Sequence, residues 1–278
     1  MATMDTPVEE MNDPAHGAEA LSLEAEHAAE GAQGDEGHEE TSLHISLAAD
    51  PIFQVGSFTV TNALLVTWIA MAILFAVAFK FSKTVRAVPG KFQAFLEIVF
   101  DGLLSFMDSV TQDRKITERF GPLTLTIFFF VLVANWLELI PGFESIFLNG
   151  VPLLRAPSSD FNLTLAIALI AVISMHTMGV RTLGAVTHLK KYFSWNPINM
   201  FIGIIELIGD VAKILSFSLR LFGNIFAGSI LLLVIGFLMP WGAPLPFMVL
   251  EIIVGFIQAL VFSVLTLVFL TIATQEQH

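Results

Sequence analysis

The chain has 278 residues, of which 55% are hydrophobic, 14% are charged and none is cysteine, and its mean hydropathy is +0.77. That balance excludes an ordinary soluble core and describes an integral membrane protein. It also excludes disulfide frameworks, thiolate chemistry and cysteine metal sites, so any chemistry falls to carboxylates, histidines and basic groups. The net charge of −12 says little about partners, because twelve of the 25 acids lie in residues 1–40.

The chain divides near residue 42. Residues 1–42 are rich in Ala, Glu and Gly with almost nothing to bury, which predicts an acidic, disordered extension rather than a folded unit. It lacks the basic start of a signal peptide. His16, His27 and His38 recur every eleven residues and are read as part of a solvated tail without assigned function.

From residue 43 onward the apolar runs are Phe58 to Phe79, Gly121 to Ile140, Phe161 to Val180, Pro197 to Met239 and Leu245 to Thr274. The first three approach the ~20 residues that span a bilayer as a helix. Between the first two, "KFQAFLEIVFDGLLSFMDSV" puts Phe92, Phe95, Leu96, Val99, Leu103 and Phe106 on one helical face, with Glu97, Asp101 and Asp108 elsewhere. This predicts an amphipathic helix at the membrane surface.

Basic residues set the orientation, because Lys and Arg are enriched in cytoplasmic loops. Lys80, Lys83, Arg86, Lys91, Arg114, Lys115 and Arg119 cluster between the first and second spans, and Arg181, Lys190 and Lys191 follow the third. The second-to-third connection holds only Arg155. The N-terminus is therefore expected outside and the C-terminus inside.

The last two runs are overlong, since as helices they would measure about 64 Å and 45 Å against a hydrocarbon core of ~30 Å. They must break or tilt. A break at Gly223–Asn224 would satisfy length, but Glu206, Lys213 and Arg220 are seven residues apart and drift only ~20° per step, so they share one stripe of a continuous helix. Glu251, Gly255, Gln258 and Phe262 form a similar face on the last run. A charge at bilayer depth costs ~3 kcal/mol or more unless it is paired or wet. Asp210 has Lys213 three residues on as its nearer match, which leaves Arg220 in want of an anion from elsewhere.

"SLRLFGNIFAG" resembles the arginine-bearing motif of subunit a of the F-type ATP synthase membrane sector, the proton-channel stator subunit. "NWLELIPG", "PSSDFNLTLAIAL", "ELIGDVAKILSFSLRLFGN" and "GFIQALVFSVLTLVFLTIA" resemble further segments of that family in the same order, over roughly residues 44–274. The resemblance implies an all-α integral membrane protein with one upright N-terminal span, a surface helix, an upright helical hairpin and two long tilted helices. It implies a non-catalytic subunit with two proton half-channels serving the carboxylates of a c-subunit ring, coupling proton flow to rotation and ATP synthesis. A Na⁺-translocating version is the alternative. The expected partners are the c-ring, the b-subunit peripheral stalk, other ATP synthase subunits and membrane lipid, in the cell inner membrane. No nucleic acid, cofactor or metal is expected.

Residue by residue, Arg220 matches the essential charge that faces the passing rotor carboxylate. Guanidinium keeps its proton where a desolvated lysine loses it, so only Arg is a permanent barrier between half-channels. Glu251 and Gln258 match the polar pair of the last helix, Glu251 as outer relay and Gln258 orienting Arg220. Family members carry a second titratable group where this chain has Ser229, so the relay partner of Glu251 stays open. Asn224 is a channel neighbour or a packing residue. Glu138 and Glu144 match the acidic outer mouth, and Asp160 and Asn162 either cap the third span or line that mouth. On the inner side Glu206 matches the exit acid, Ser216 lines the exit or allows close packing, Lys213 pairs with Asp210, and His176 is a satisfied interfacial histidine. A secondary transporter would show self-similar halves with broken helices, and an intramembrane hydrolase would show "H-E-x-x-H" or "G-x-S-x-G"; the sequence has neither.

Overall fold

The computed structural model describes residues 49–55, 58–86, 88–140, 143, 146–148, 151–185, 188, 192, 197–239 and 242–274. The acidic extension, Glu144, Lys190 and Lys191 lie outside them.

The described chain opens with an antiparallel hairpin, β1 (Pro51–Val55) and β2 (Phe58–Thr61), where the composition suggested the first span would begin. The alternation Phe-Thr-Val-Thr suits a strand. Thr61 then starts α1 (Asn62–Thr84), its hydroxyl accepting from the Leu64 amide at 3.3 Å. A second amphipathic helix, α2 (Lys91–Thr111), ends at Gln112, whose φ of 55° is left-handed. The Asp113 carboxylate caps α3 (Arg114–Leu137) through the Lys115 amide at 2.8 Å. A two-residue hairpin, β3 (Phe147–Leu148) with β4 (Val151–Pro152), and a 3-10 turn over Pro157–Ser159 lead to α4 (Phe161–Leu183). The Asp160 side chain caps α4 by accepting from the Asn162 amide at 2.9 Å, so the capping role expected for this pair is realised. Both residues also line a cleft of about 310 Å³ between α1 and α4.

The two long runs are single helices, α5 (Pro197–Leu238, 42 residues) and α6 (Pro244–Thr274, 31 residues). No break interrupts α5 at Gly223–Asn224, as the phase of its polar residues required. Gly242, at φ 85°, takes the turn between them. Among the described residues, five helices, α1 and α3 to α6, are long and apolar enough to cross a membrane.

The core forms where α3 meets α6 and where α4 meets α5 and α6. Phe120, Phe128, Val131, Leu221, Ile225, Phe262, Leu267 and Leu270 are fully buried there, and Phe217 stacks on Phe262 with centroids 4.8 Å apart. The buried residues of α2 are Gln93, Leu103 and Met107, of which Leu103 belongs to the predicted apolar stripe. Phe95 and Phe106 stay exposed. The reason is that Gln93 is tied down by the linker, its amide bonding both the Arg86 N–H and C=O at 3.0 and 3.1 Å. The helix then turns its aromatic edge outward, the disposition of an interfacial helix between protein and lipid.

Candidate functional site

Arg220 lies on an exposed face of α5, and its Nη2 donates to Ser216 Oγ one turn back at a long 3.5 Å. Among the described residues no carboxylate pairs with it. Asp210 is engaged by Lys213 at 2.7 Å, as expected from their spacing. Elsewhere on α5 Ile208, Leu215, Leu219 and Leu231 are also exposed, and a side chain added at Gly209 or Gly223 would meet open space. A permanent charge thus sits on a helix that is otherwise largely apolar and that the described residues leave exposed.

Beside that face, α5 and α6 join through polar groups. Asn224, one turn beyond Arg220, donates through Nδ2 to Gln258 Oε1 at 2.9 Å. Gln258 is buried, and among the described residues its Nε2 has no hydrogen-bond partner. It therefore reaches the neighbour of the arginine, not the guanidinium itself. Two turns along α6, Glu251 is buried directly over Gly228, at a spot where any Cβ on Gly228 would collide with its carboxylate. The next residue, Ser229, donates to Glu138 Oε1 and to the Ile225 carbonyl. The partner of Ser229 is thus the acid at the end of α3, while Glu251 rests on the glycine beside it. Glu138, Ser229, Glu251, Gln258 and Asn224 line the polar junction beside α5 and α6, with Arg220 one turn from Asn224 on the exposed side of α5.

Several members of that junction's support had no signal in the sequence reading. Asn135 of α3 donates to the Gly255 carbonyl at 3.4 Å and accepts from Ser158 Oγ at 2.6 Å. Trp136 Nε1 donates to the Ile252 carbonyl at 3.2 Å. Thr164 and Ser218 share a buried hydroxyl pair at 3.1 Å. A polar residue inside an apolar run is the only mark each carries, and that mark does not name a partner. Arg155, the lone base of its connection, is buried with Nε on Ser159 Oγ at 3.2 Å and Asp50 at 3.9 Å.

The family model for the ATP synthase A chain matches residues 64–271. The chain is 33% identical over 245 residues to an ATP synthase subunit a of Syntrophobacter fumaroxidans, covering 86% of this chain and 95% of that one. It is 36% identical over 215 residues to that of Desulfotalea psychrophila, covering 76% and 84%, and 32% identical over 220 residues to that of Geotalea daltonii, covering 78% and 89%. The chain belongs to the ATP synthase subunit a family. It is an all-α, multi-pass membrane protein of ATP synthesis and ion transport.

Nearer the start of α5, the chain gathers a second polar cluster. Asp210 is buried and accepts from Lys213 Nζ at 2.7 Å and from Tyr192 Oη at 2.8 Å. His176 of α4 approaches the same carboxylate at 3.7 Å and lies 3.3 Å from His188, so it is satisfied, as expected, but by partners the sequence did not reveal. Burial, and after it the Asp210 carboxylate, hold the Tyr192 phenol protonated well above its ordinary range, with the Glu206 charge adding to the effect. Glu206 is half-buried and Ser216 exposed on the same helix.

Proposed function

We propose that the chain is the stator channel subunit of a rotary ATP synthase and provides two proton half-channels, separated at Arg220, to and from a ring of c subunits. The observation that carries this reading is Arg220 itself, a charge that no carboxylate among the described residues pairs, on an exposed face of α5 in a subunit a family member. A passing rotor carboxylate supplies the missing anion. The guanidinium favours its ionised form, so a proton leaves on one side of the arginine and another is taken up on the other. Because guanidinium does not deprotonate, it also stops protons passing directly between the two paths.

On the outer path, Glu138 with Ser229 collects protons, and Glu251 carries them past Gly228 toward the rotor. Water serves as the link where carboxylates do not touch. Asn224 and Gln258 keep the α5–α6 seam polar beside Arg220. Glu144 belongs to the outer mouth on sequence grounds alone. On the inner path Glu206 is the exit acid and Ser216, which holds the guanidinium, lines the way. The subunit makes no covalent chemistry, so it is non-catalytic. Its neighbours are the c-ring, the b-subunit stalk and lipid in the cell inner membrane, with the acidic extension outside and the C-terminus in the cytoplasm. A Na⁺-translocating version has the same architecture on this side, because the selecting carboxylate lies on the rotor.

Reconstitution of the chain in vesicles, without and then with c subunits, tests the reading. Flux is expected only once the ring is present. A steady flux from the chain alone is the mark of a self-contained transporter instead.

A further inference from the structure

The cluster around Asp210 is not needed to explain Arg220, yet it assembles five side chains from three separate segments. Asp210 and Lys213 come from α5, His176 from α4, and His188 and Tyr192 from the connection between them. Gly184, at φ 86°, ends α4, and its carbonyl accepts from the His188 amide at 3.0 Å. The absence of a side chain at Gly179 leaves the space that the His188 ring fills, since a Cβ there would come within 2.9 Å of it. The two imidazoles meet edge to face, 5.5 Å apart at 76°, with His176 Nδ1 3.3 Å from His188 Nε2. Two ring nitrogens at that distance hold one proton between them, one donating and one accepting. The far nitrogen of His176, Nε2, then faces Asp210.

On α5 the charged groups are Glu206, Asp210 and Lys213, with Arg220 two turns further on. From α4, Arg181 is exposed; from α3, Arg119 is engaged by Thr182 at 2.9 Å. α6 contributes Phe269, over which Lys213 lies at 5.0 Å, and the Ala273 carbonyl, and among the described residues no titratable group. Lys190 and Lys191 flank the site in sequence, outside the described residues.

We propose that His176 and His188 form a shared-proton relay at the inner mouth of this subunit, exchanging protons between the cytoplasm and the path through Glu206. Uptake forms one N–H bond on the imidazole pair as hydronium loses an O–H bond. Release breaks that N–H bond and forms an O–H bond on the Glu206 carboxylate, directly or through water. Tyr192 and Lys213 hold the Asp210 carboxylate in place, and Asp210 positions His176. The relay rests on the half-channel reading above.

The test uses inverted vesicles carrying the assembled complex, with ATP-driven proton uptake followed at several external pH values across the range, ~5 to 8, in which imidazoles change charge. The double variant His176→Gln, His188→Gln keeps hydrogen-bonding amides but cannot titrate. At the alkaline end its uptake is expected to fall about tenfold, less than the ~100-fold of a sole acid–base group because Glu206 still reaches water. The loss should shrink toward acid pH and be restored by added imidazole. Each single variant should lose about as much as the double, since either ring alone ends the sharing, and the singles decide the matter if the double does not assemble. Wild-type uptake at every pH overturns the relay, as does a loss that is equal at all pH values and insensitive to imidazole. Either result leaves the stator reading standing, because Arg220 is untouched and passive proton permeability stays low. A wild-type complex that does not pump overturns both.

Discussion

Gly228 carries no side chain, and the Glu251 carboxylate occupies the space that one would fill. That single contact explains how an acid becomes buried in the α5–α6 seam without displacing either helix. Gly228→Ala should therefore force the carboxylate aside at a cost of about 1 to 3 kcal/mol, the usual range for overpacking, read as a lower midpoint for thermal dissociation of the complex. Glu251→Gln keeps the shape and removes the proton. It is expected to leave the complex assembled and to slow proton-driven ATP synthesis sharply, with Glu251→Asp retaining part of the rate. Near-normal ATP-driven pumping in the Gln variant would transfer the relay to Glu138 and Ser229. Tyr192 illustrates a purely structural contribution in the same chain. Its folded-state pKa is raised, so the stability it adds is fully present below the phenol's ordinary value of ~10 and is lost as pH rises through the folded one. Tyr192→Phe should accordingly destabilise by about 1 to 3 kcal/mol at neutral pH, the effect of leaving a buried acceptor short of a donor.

At the level of helices, the parts that repeat a period were legible and the parts that depend on a neighbour were not. The continuity of α5 could be read from Glu206, Lys213 and Arg220 alone, because a stripe at seven-residue spacing is a property of one helix. For α2 the amphipathic period was legible, but the residues that face the protein were not, because Gln93, bonded to the Arg86 backbone, fixes the rotation. Strand β2 of the short hairpin before α1 was absorbed into the first apolar run for a similar reason, since β-branched residues before a helix suit either conformation. In the site, Arg220, Asn224, Glu251 and Gln258 were legible as polar interruptions. Their pairing was not, and neither was the role of Gly228, because a glycine announces space without saying what fills it. Gly255 is the corresponding point between α3 and α6, where a Cβ would lie 3.2 Å from the Asn135 Cβ. Gly255→Leu should separate these helices, break the Asn135 bonds to Ser158 and the Gly255 carbonyl, and reduce the yield of assembled complex. Assembly at wild-type levels would show that the α3–α6 approach is dispensable.

For the molecule as a whole, the proposed topology, argued from the asymmetry of Lys and Arg around five spans, puts the acidic extension outside and the last residues inside. A membrane-impermeant label on a cysteine introduced at position 20 should react in intact cells. Reaction only after the cytoplasmic face is opened would invert the topology and exchange the inner and outer paths. The central claim concerns neither orientation nor assembly but the barrier at Arg220, and it is tested most directly by proton permeability and ATP synthesis in vesicles holding the assembled Arg220→Lys and Arg220→Ala complexes. Lysine preserves one positive charge in a similar volume but can lose its proton when desolvated, so the Lys complex is predicted to lose coupled synthesis. The Ala complex is predicted to lose synthesis and also to leak protons passively, because nothing then keeps a passing carboxylate ionised or the two paths apart. Wild-type synthesis and low permeability in both variants would contradict the account, leaving Arg220 as a structural charge outside the proton path.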